Sequence, residues 1–131
     1  MGVNPNVSMI GCGKLGNACA EAMNGIYGVM GYDVAPVKTS ILMARSLKQA
    51  VEYGDIIFIA APTPHDPKYD GREPTAHLPN KDFDYTIVKD ILTEVNKWVN
   101  RKQLVVLIST VLPGTTRREL EPLITNGRFV Y

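Results

Sequence analysis

Three glycines and one acid set the first chemical possibility in this chain. Gly11-Cys12-Gly13-Lys14-Leu15-Gly16 follows the apolar run Val7-Ser8-Met9-Ile10 and leads into a helical pattern from Asn17 to Met23. A second apolar run, Gly28-Val29-Met30-Gly31-Tyr32, is closed by Asp33, twenty-two residues after Gly11. Strand, glycine turn, helix, and an acid after the next strand are the layout of a dinucleotide site. Gly11 allows the tight turn, Gly13 lets backbone approach a pyrophosphate, and Gly16 permits close packing of helix on strand. The free N–H groups and dipole of the new helix then face the phosphates. Asp33 is placed to accept hydrogen bonds from ribose hydroxyls and to repel a 2′-phosphate, so NAD is expected rather than NADP. The plainer alternative is a glycine-rich turn that serves packing alone, and the acid at this offset argues against it.

Ligands of a doubly wound sheet gather beyond the carboxyl ends of its strands. Two hydroxyls fall there: Thr63, after the run ending at Ala61, and Thr110, after the run ending at Ile108. Each precedes a turn holding a proline, Pro64 or Pro113, which can aim a hydroxyl and free N–H groups at a cofactor. The alternative is that Ser109 and Thr110 merely begin a turn. Lys14 and Leu15 open the first helix beside the expected phosphates, and Lys38 lies just past Asp33, where it can reach the adenosine end. Either lysine can equally be a solvated surface charge. His65, Asp66, Asp70 and His77 share one polar loop at spacings that match no metal pattern, so a solvated loop and no metal are expected. Cys12 and Cys19 read as small packing residues rather than redox or metal groups.

The elements that must position these residues alternate, apolar run with helical pattern, as in a parallel sheet with crossover helices. Ile41 to Ala44 is a short strand candidate, and Ser46-Leu47-Lys48-Gln49 forms a capping box for a helix to about Tyr53, stopped by Gly54. Asp55 to Ala61 is a continuous apolar strand of the kind buried on both faces. A helix from near Asp84 to Val99 carries a stripe of Ile87, Val88, Ile91, Leu92, Val95, Trp98 and Val99. Leu104 to Ile108 is the next strand, Thr116-Arg117-Arg118-Glu119 caps a short helix limited by Pro122, and Arg128 to Tyr131 begins a last strand. Asp33 to Ile41 is too short for a crossover helix, so a turn around Pro36 is expected. Pro62 to Lys81, with five prolines, is a long loop of the functional or mobile sort. The fold class expected is α/β: a Rossmann-type doubly wound parallel sheet forming a single three-layer domain over residues 1–131.

At 131 residues the chain has the length of one domain, with 45% apolar and 21% charged residues, ordinary for a globular protein. A net charge of +1 gives no long-range field for nucleic acid or membrane, so neither is expected as a partner. No apolar stretch approaches the roughly 20 residues of a membrane span, and the segment from Met1 to Asn6 lacks the basic and apolar regions of a leader. A cytoplasmic location is expected.

Three segments together resemble the UDP-glucose/GDP-mannose dehydrogenase family: Met9-Ile10-Gly11-Cys12-Gly13-Lys14-Leu15-Gly16, then Asp55-Ile56-Ile57-Phe58-Ile59-Ala60-Ala61-Pro62-Thr63-Pro64, then Ser109-Thr110-Val111-Leu112-Pro113-Gly114-Thr115. The first is generic to dinucleotide folds; the second and third are more specific. The resemblance implies the amino-terminal NAD domain of an enzyme that oxidises a sugar-nucleotide primary alcohol to a carboxylate with two NAD⁺ and a thioester-forming cysteine. It implies cofactor contacts at Gly11, Gly13, Gly16, Asp33 and Thr63, and at Thr110 a cofactor contact that also helps place a water near the reacting carbon, a catalytic role. The family's catalytic cysteine, lysine and asparagine, its sugar-binding half and its dimer-forming helix have no counterpart in the chain, and Cys12 does not match the cysteine by motif. NAD binding without turnover is therefore expected of this chain, with sugar nucleotide bound only in a complete enzyme and with a homodimer or a carboxyl-terminal partner chain as candidate assemblies. Two other readings stay open: a non-enzymatic NAD-sensing module, and a dehydrogenase of the 3-hydroxyacid or phosphogluconate type. The Thr63 and Thr110 turns argue against the last.

Overall fold

The apolar runs assemble into one parallel sheet. The computed structural model describes residues 3–131; Met1 and Gly2, the start of the segment weighed as a leader, lie outside it. Its strands are β1 (Asn6–Ile10), β2 (Gly28–Tyr32), β3 (Leu42–Met43), β4 (Ile56–Ile59), β5 (Leu104–Leu107) and β6 (Arg128–Val130), in the order β3-β2-β1-β4-β5-β6. Every pairing is parallel. The order reverses between β1 and β4, and in such sheets the ligand crevice opens beyond the carboxyl ends at that point.

Strand alternation divides the core between two faces. From β1, Val7 and Met9 join Val29 and Ala20 under α1 (Lys14–Met23), whereas Ile10 joins Ile57, Ile59, Val105 and Leu107 under α2 (Leu47–Tyr53) and α3 (Thr86–Asn96). The α3 stripe does what its spacing implies: Val88, Leu92 and Val95 are wholly buried, each contributing roughly 1.5–3 kcal/mol. Ile87, at the edge of the stripe, is exposed.

Several expectations are corrected. The β4 run is buried on one face only: Ile57 and Ile59 are buried, but Ile56 and Phe58 are half-buried, as are their β5 neighbours Leu104 and Val106. Right-handed crossovers place both connections, β4 to β5 and β5 to β6, on the opposite face, so this one is covered only in part, Phe58 packing on the α1 cluster while Ile56, Leu104 and Val106 lie outside it. α3 begins at Thr86, whose N–H donates to Asp84 Oδ1 at 2.9 Å, and ends at Asn96, leaving Trp98 and Val99 to pack from the following turn. Thr116 does not cap a helix. Thr115 before it is already helical (φ −62°, ψ −44°), so Thr116 lies inside a π-helical turn, Thr116–Leu120, and its hydroxyl has no partner among the described residues. Pro122 then falls in a 3-10 turn, Glu121–Leu123.

Ser46 does cap α2, its Oγ accepting from the Gln49 N–H at 3.1 Å, but the Gln49 side chain accepts from the N–H of Arg45 (2.7 Å) instead of closing the box on Ser46. Gly54 ends α2 without a left-handed turn, at φ −86°. A side chain is excluded there because a Cβ would stand 2.5 Å from Ser8 Oγ. The connection from Asp33 to Ile41 contains no helix, as its length requires. Among the described residues no helix is long and apolar enough to cross a membrane.

Candidate dinucleotide site

The three glycines of the turn after β1 meet different demands. Gly11 (φ +93°) donates its N–H to Tyr32 O at 2.8 Å, and a Cβ on it would strike Ala60 O at 2.5 Å. A Cβ on Gly16 would stand 1.9 Å from Gly11 O, so this glycine sets how closely α1 approaches the turn. A Cβ on Gly13 would meet nothing within 4 Å among the described residues. Gly11 and Gly16 are required by packing; Gly13 faces open space, as backbone must where an anion is to approach. Gly13 is also the N-cap of α1, no side chain caps it, and the first turn holds no acid. Uncapped N–H groups at a helix start are donors for an anion.

Asp33, half-buried, ties this turn to the next loop. Its Oδ2 accepts from the Cys12 N–H at 2.8 Å and its Oδ1 from the Ala35 N–H at 3.0 Å. A carboxylate has about four lone-pair sites, so both oxygens can still accept from hydroxyls. The Cys12 thiol fills the room left by Gly31, where a Cβ would come within 2.8 Å of Sγ. Burial, more than the nearby Asp33 charge, pushes that thiol's pKa up, so it stays protonated and serves packing. Cys19 is half-buried on α1 and also free.

Gly13, Lys14, Asp33 and Lys38 line one open crevice of about 530 Å³, with Asn17 and Glu21 on the same wall. Sequence reading missed these last two. The signal was present, since Lys14, Asn17 and Glu21 follow helical spacing along one face of α1. The Glu21 Oε1 accepts from the Ser40 N–H (3.1 Å), Ser40 Oγ (3.2 Å) and Thr39 Oγ1 (3.2 Å), anchoring the segment that carries Lys38. The Ser40 N–H first, then the hydroxyls, hold its carboxyl below the usual range. Leu15 is 57% exposed and is not part of the crevice wall.

Across the reversal point, Thr63 and Thr110 come together at the ends of the neighbouring strands β4 and β5. Thr63 Oγ1 donates to the Thr110 carbonyl at 2.7 Å, so the two turns form one unit with the Thr110 side chain exposed. Two residues further, the Leu112 N–H donates to the Tyr85 hydroxyl at 3.0 Å, and that hydroxyl donates to Asp82 Oδ1. Tyr85 is buried; burial, and then Asp82, push its phenol up, so it remains a donor. Tyr85 was also missed, although it precedes Val88 by three positions and is the polar-tipped member of that stripe. In the long loop, Lys81 pairs with Asp66 at 2.8 Å and Tyr69 donates to Pro79 O. His65, Asp70 and His77 lie exposed along it, and among the described residues no group of three or more His, Cys, Asp or Glu is placed to hold a metal.

A parallel sheet reversed beside β1, a glycine turn opening an uncapped helix, and an acid after β2 define a Rossmann-type dinucleotide-binding domain. Residues 35–129 match the UDP-glucose/GDP-mannose dehydrogenase family, NAD binding domain, and the chain belongs to that family. NAD is its cofactor. The match begins beyond the glycine turn and Asp33, so it is independent of them. Similar solved structures include GDP-mannose dehydrogenase from Pseudomonas aeruginosa (TM-score 0.74, 21% identity, 95% of this chain and 35% of that one). UDP-glucose dehydrogenase from Pyrobaculum islandicum is similar at TM-score 0.68 and 24% identity, over 97% of this chain and 34% of that one. The Mycobacterium tuberculosis 3-hydroxyisobutyrate dehydrogenase reaches TM-score 0.73 at 19% identity, over 97% and 39%. At these identities the likeness concerns the fold, and the chain spans between a third and two-fifths of each structure's length. No curated protein sequence matches the chain.

Proposed function

We propose that this chain is the cofactor-binding half of a sugar-nucleotide 6-dehydrogenase, and that alone it binds NAD(H) without turnover. The observation that carries the cofactor assignment is the contrast within the glycine turn: Gly13 is open where Gly11 and Gly16 are filled, directly over the uncapped start of α1. In this reading Gly11, Gly13, Gly16, Lys14 and the first turn at Leu15 serve the pyrophosphate, Asp33 the adenosine ribose, and Lys38 the adenosine end. Thr63 and Thr110 serve the other half of the dinucleotide, across the reversal. Bound NAD⁺ supplies a hydride acceptor. Two of them, with one water, balance the oxidation of a primary alcohol to a carboxylate: two hydrides leave the carbon and the water contributes the second oxygen. Thr110, exposed at the end of β5, is the catalytic candidate that would position that water.

Neither thiol of this chain suits the covalent step, because Cys12 is sealed in the turn and Cys19 lies on α1. Turnover would therefore need a cysteine from further polypeptide, and we place sugar-nucleotide binding in such a complete enzyme. The half-buried Ile56, Leu104 and Val106, on the part of the sheet face that α1 does not reach, favour such a partner, whether a carboxyl-terminal chain or a second copy. Two free cysteines suit the reducing cytoplasm.

Titration calorimetry with NAD⁺ tests the reading. Binding is expected, with Asp33→Ala weaker by about 1–3 kcal/mol for loss of a charge-assisted contact. Absence of heat at millimolar NAD⁺, or equal affinity in Asp33→Ala, overturns it.

A further inference from the structure

We infer that Tyr85, backed by Asp82, is a positioning residue that holds the turn from Thr110 to Leu112 so that the Thr110 hydroxyl is presented at the crevice. The inference rests on the dinucleotide reading above and adds to it a residue outside the crevice and outside all three sequence motifs.

The turn after β5 is exposed at Thr110, Leu112, Pro113 and Gly114, and Gly114 has φ +86°. Such a segment has little packing of its own to fix where a side chain points. It is held from two sides. Thr63 Oγ1 grips the carbonyl of Thr110 at 2.7 Å, and the Tyr85 hydroxyl grips the N–H of Leu112 at 3.0 Å. These two bonds bracket three residues, and between them they constrain the backbone that carries the Thr110 side chain.

The grip is rigid because its base is rigid. Tyr85 is 6% exposed and stands directly before α3, whose Val88, Leu92 and Val95 are fixed in the core. Its hydroxyl has one proton, and donation to Asp82 Oδ1 commits that proton, leaving the oxygen's lone pairs for Leu112. Asp82 therefore determines which way the phenol points. The arrangement also explains how a long polar loop can separate β4 from α3 without loosening the site. The Asp84 N–H donates to Pro64 O at 2.8 Å, so the loop closes at its own base, and both flanks, Thr63 and Tyr85, end on the same turn. The loop can vary in between without moving Thr110.

The test separates the two halves of the ligand. NADH and ADP-ribose share the adenosine and pyrophosphate that the glycine turn and Asp33 would hold, and the second ribose; only NADH has the nicotinamide ring, which falls to the Thr63 and Thr110 side. For the whole chain, Tyr85→Phe is expected to bind NADH roughly five-fold more weakly, the size of one hydrogen bond, while its affinity for ADP-ribose stays within about two-fold. Asp82→Asn, which keeps an oxygen to accept from the phenol, should behave as wild type, and Asp82→Ala should follow Tyr85→Phe. Amide exchange should quicken at Leu112 in Tyr85→Phe while β4 and β5 stay protected. Equal weakening for both ligands, or no weakening for either, overturns the positioning role. If wild type binds neither ligand, the dinucleotide reading itself falls and takes this inference with it.

Discussion

The two rims of the sheet use their polar groups in opposite ways. At the amino ends, side chains are consumed in holding the fold. Gln103, 6% exposed, donates from Nε2 to Val51 O (2.6 Å) and Gly54 O (2.7 Å), sealing the last carbonyls of α2. Ser8 Oγ donates to Ala50 O, Asp55 accepts from the Asn6 N–H, and the Asn96 side chain accepts from the N–H groups of Thr125 and Asn126, both at 2.9 Å. At the carboxyl ends Asp33 and Thr63 also hold backbone, but other groups are left available: α1 starts without a cap, Gly13 faces open space, and Thr110 is exposed. One rim satisfies its helix end internally, and the other leaves a helix end for a ligand to satisfy.

Substitutions on the carboxyl rim can break this contrast within a single turn. Gly16→Ala should cost the most, at least about 4 kcal/mol, above the ordinary overpacking range because the obstacle is the Gly11 carbonyl and not a flexible side chain. Gly13→Ala should leave urea unfolding within about 1 kcal/mol of wild type, since its Cβ meets nothing, yet weaken NAD⁺ binding. If both variants lose stability together, the turn is a packing device and its assignment to phosphate is wrong.

The amino rim should respond the other way. Gln103→Ala leaves two buried carbonyls without a donor and should cost about 2–3 kcal/mol in urea unfolding. The folded protein should bind NAD⁺ as wild type does, and a parallel loss of affinity would mean that the rims are not separate in function.

What the sequence made legible follows from how local each feature is. The glycine turn, Asp33, the Ser46 cap and the centre of the α3 stripe at Val88, Leu92 and Val95 depend on neighbours within a few residues, and each lies where its pattern put it. The half-covered face of β4 was not legible, because an apolar run looks the same whether one or two faces are buried. Coverage depends on the handedness of the next two crossovers. Thr116 misled for a related reason: a hydroxyl caps only where the chain is not yet helical, and Gly114 lets the helical turn begin one residue too early. The grip of Thr63 and Tyr85 on the turn after β5 joins residues 47 and 27 apart in sequence, beyond any local pattern.

The smallest effect sharpens the boundary of the crevice. Glu21 is exposed, and the Ser40 N–H with the Ser40 and Thr39 hydroxyls lowers its pKa below the ordinary glutamate value. A depressed carboxyl contributes stability above its unfolded pKa of about 4.3 and loses that contribution as pH falls through the lower, folded value. Glu21→Gln keeps an acceptor oxygen but removes the charge. Its stability deficit relative to wild type should therefore be small at pH 7, shrink as pH falls below the unfolded value of about 4.3, and vanish only below the lower, folded value. Asp66, Asp84 and Glu119 are lowered as well, so only the difference between the two proteins isolates Glu21. The same variant should loosen the segment carrying Lys38 while leaving Asp33 and its bond to Cys12 in place, so the loss of NAD⁺ affinity should be less than for Asp33→Ala. An equal loss would move the anchoring of the adenosine end from the acid after β2 to the α1 face.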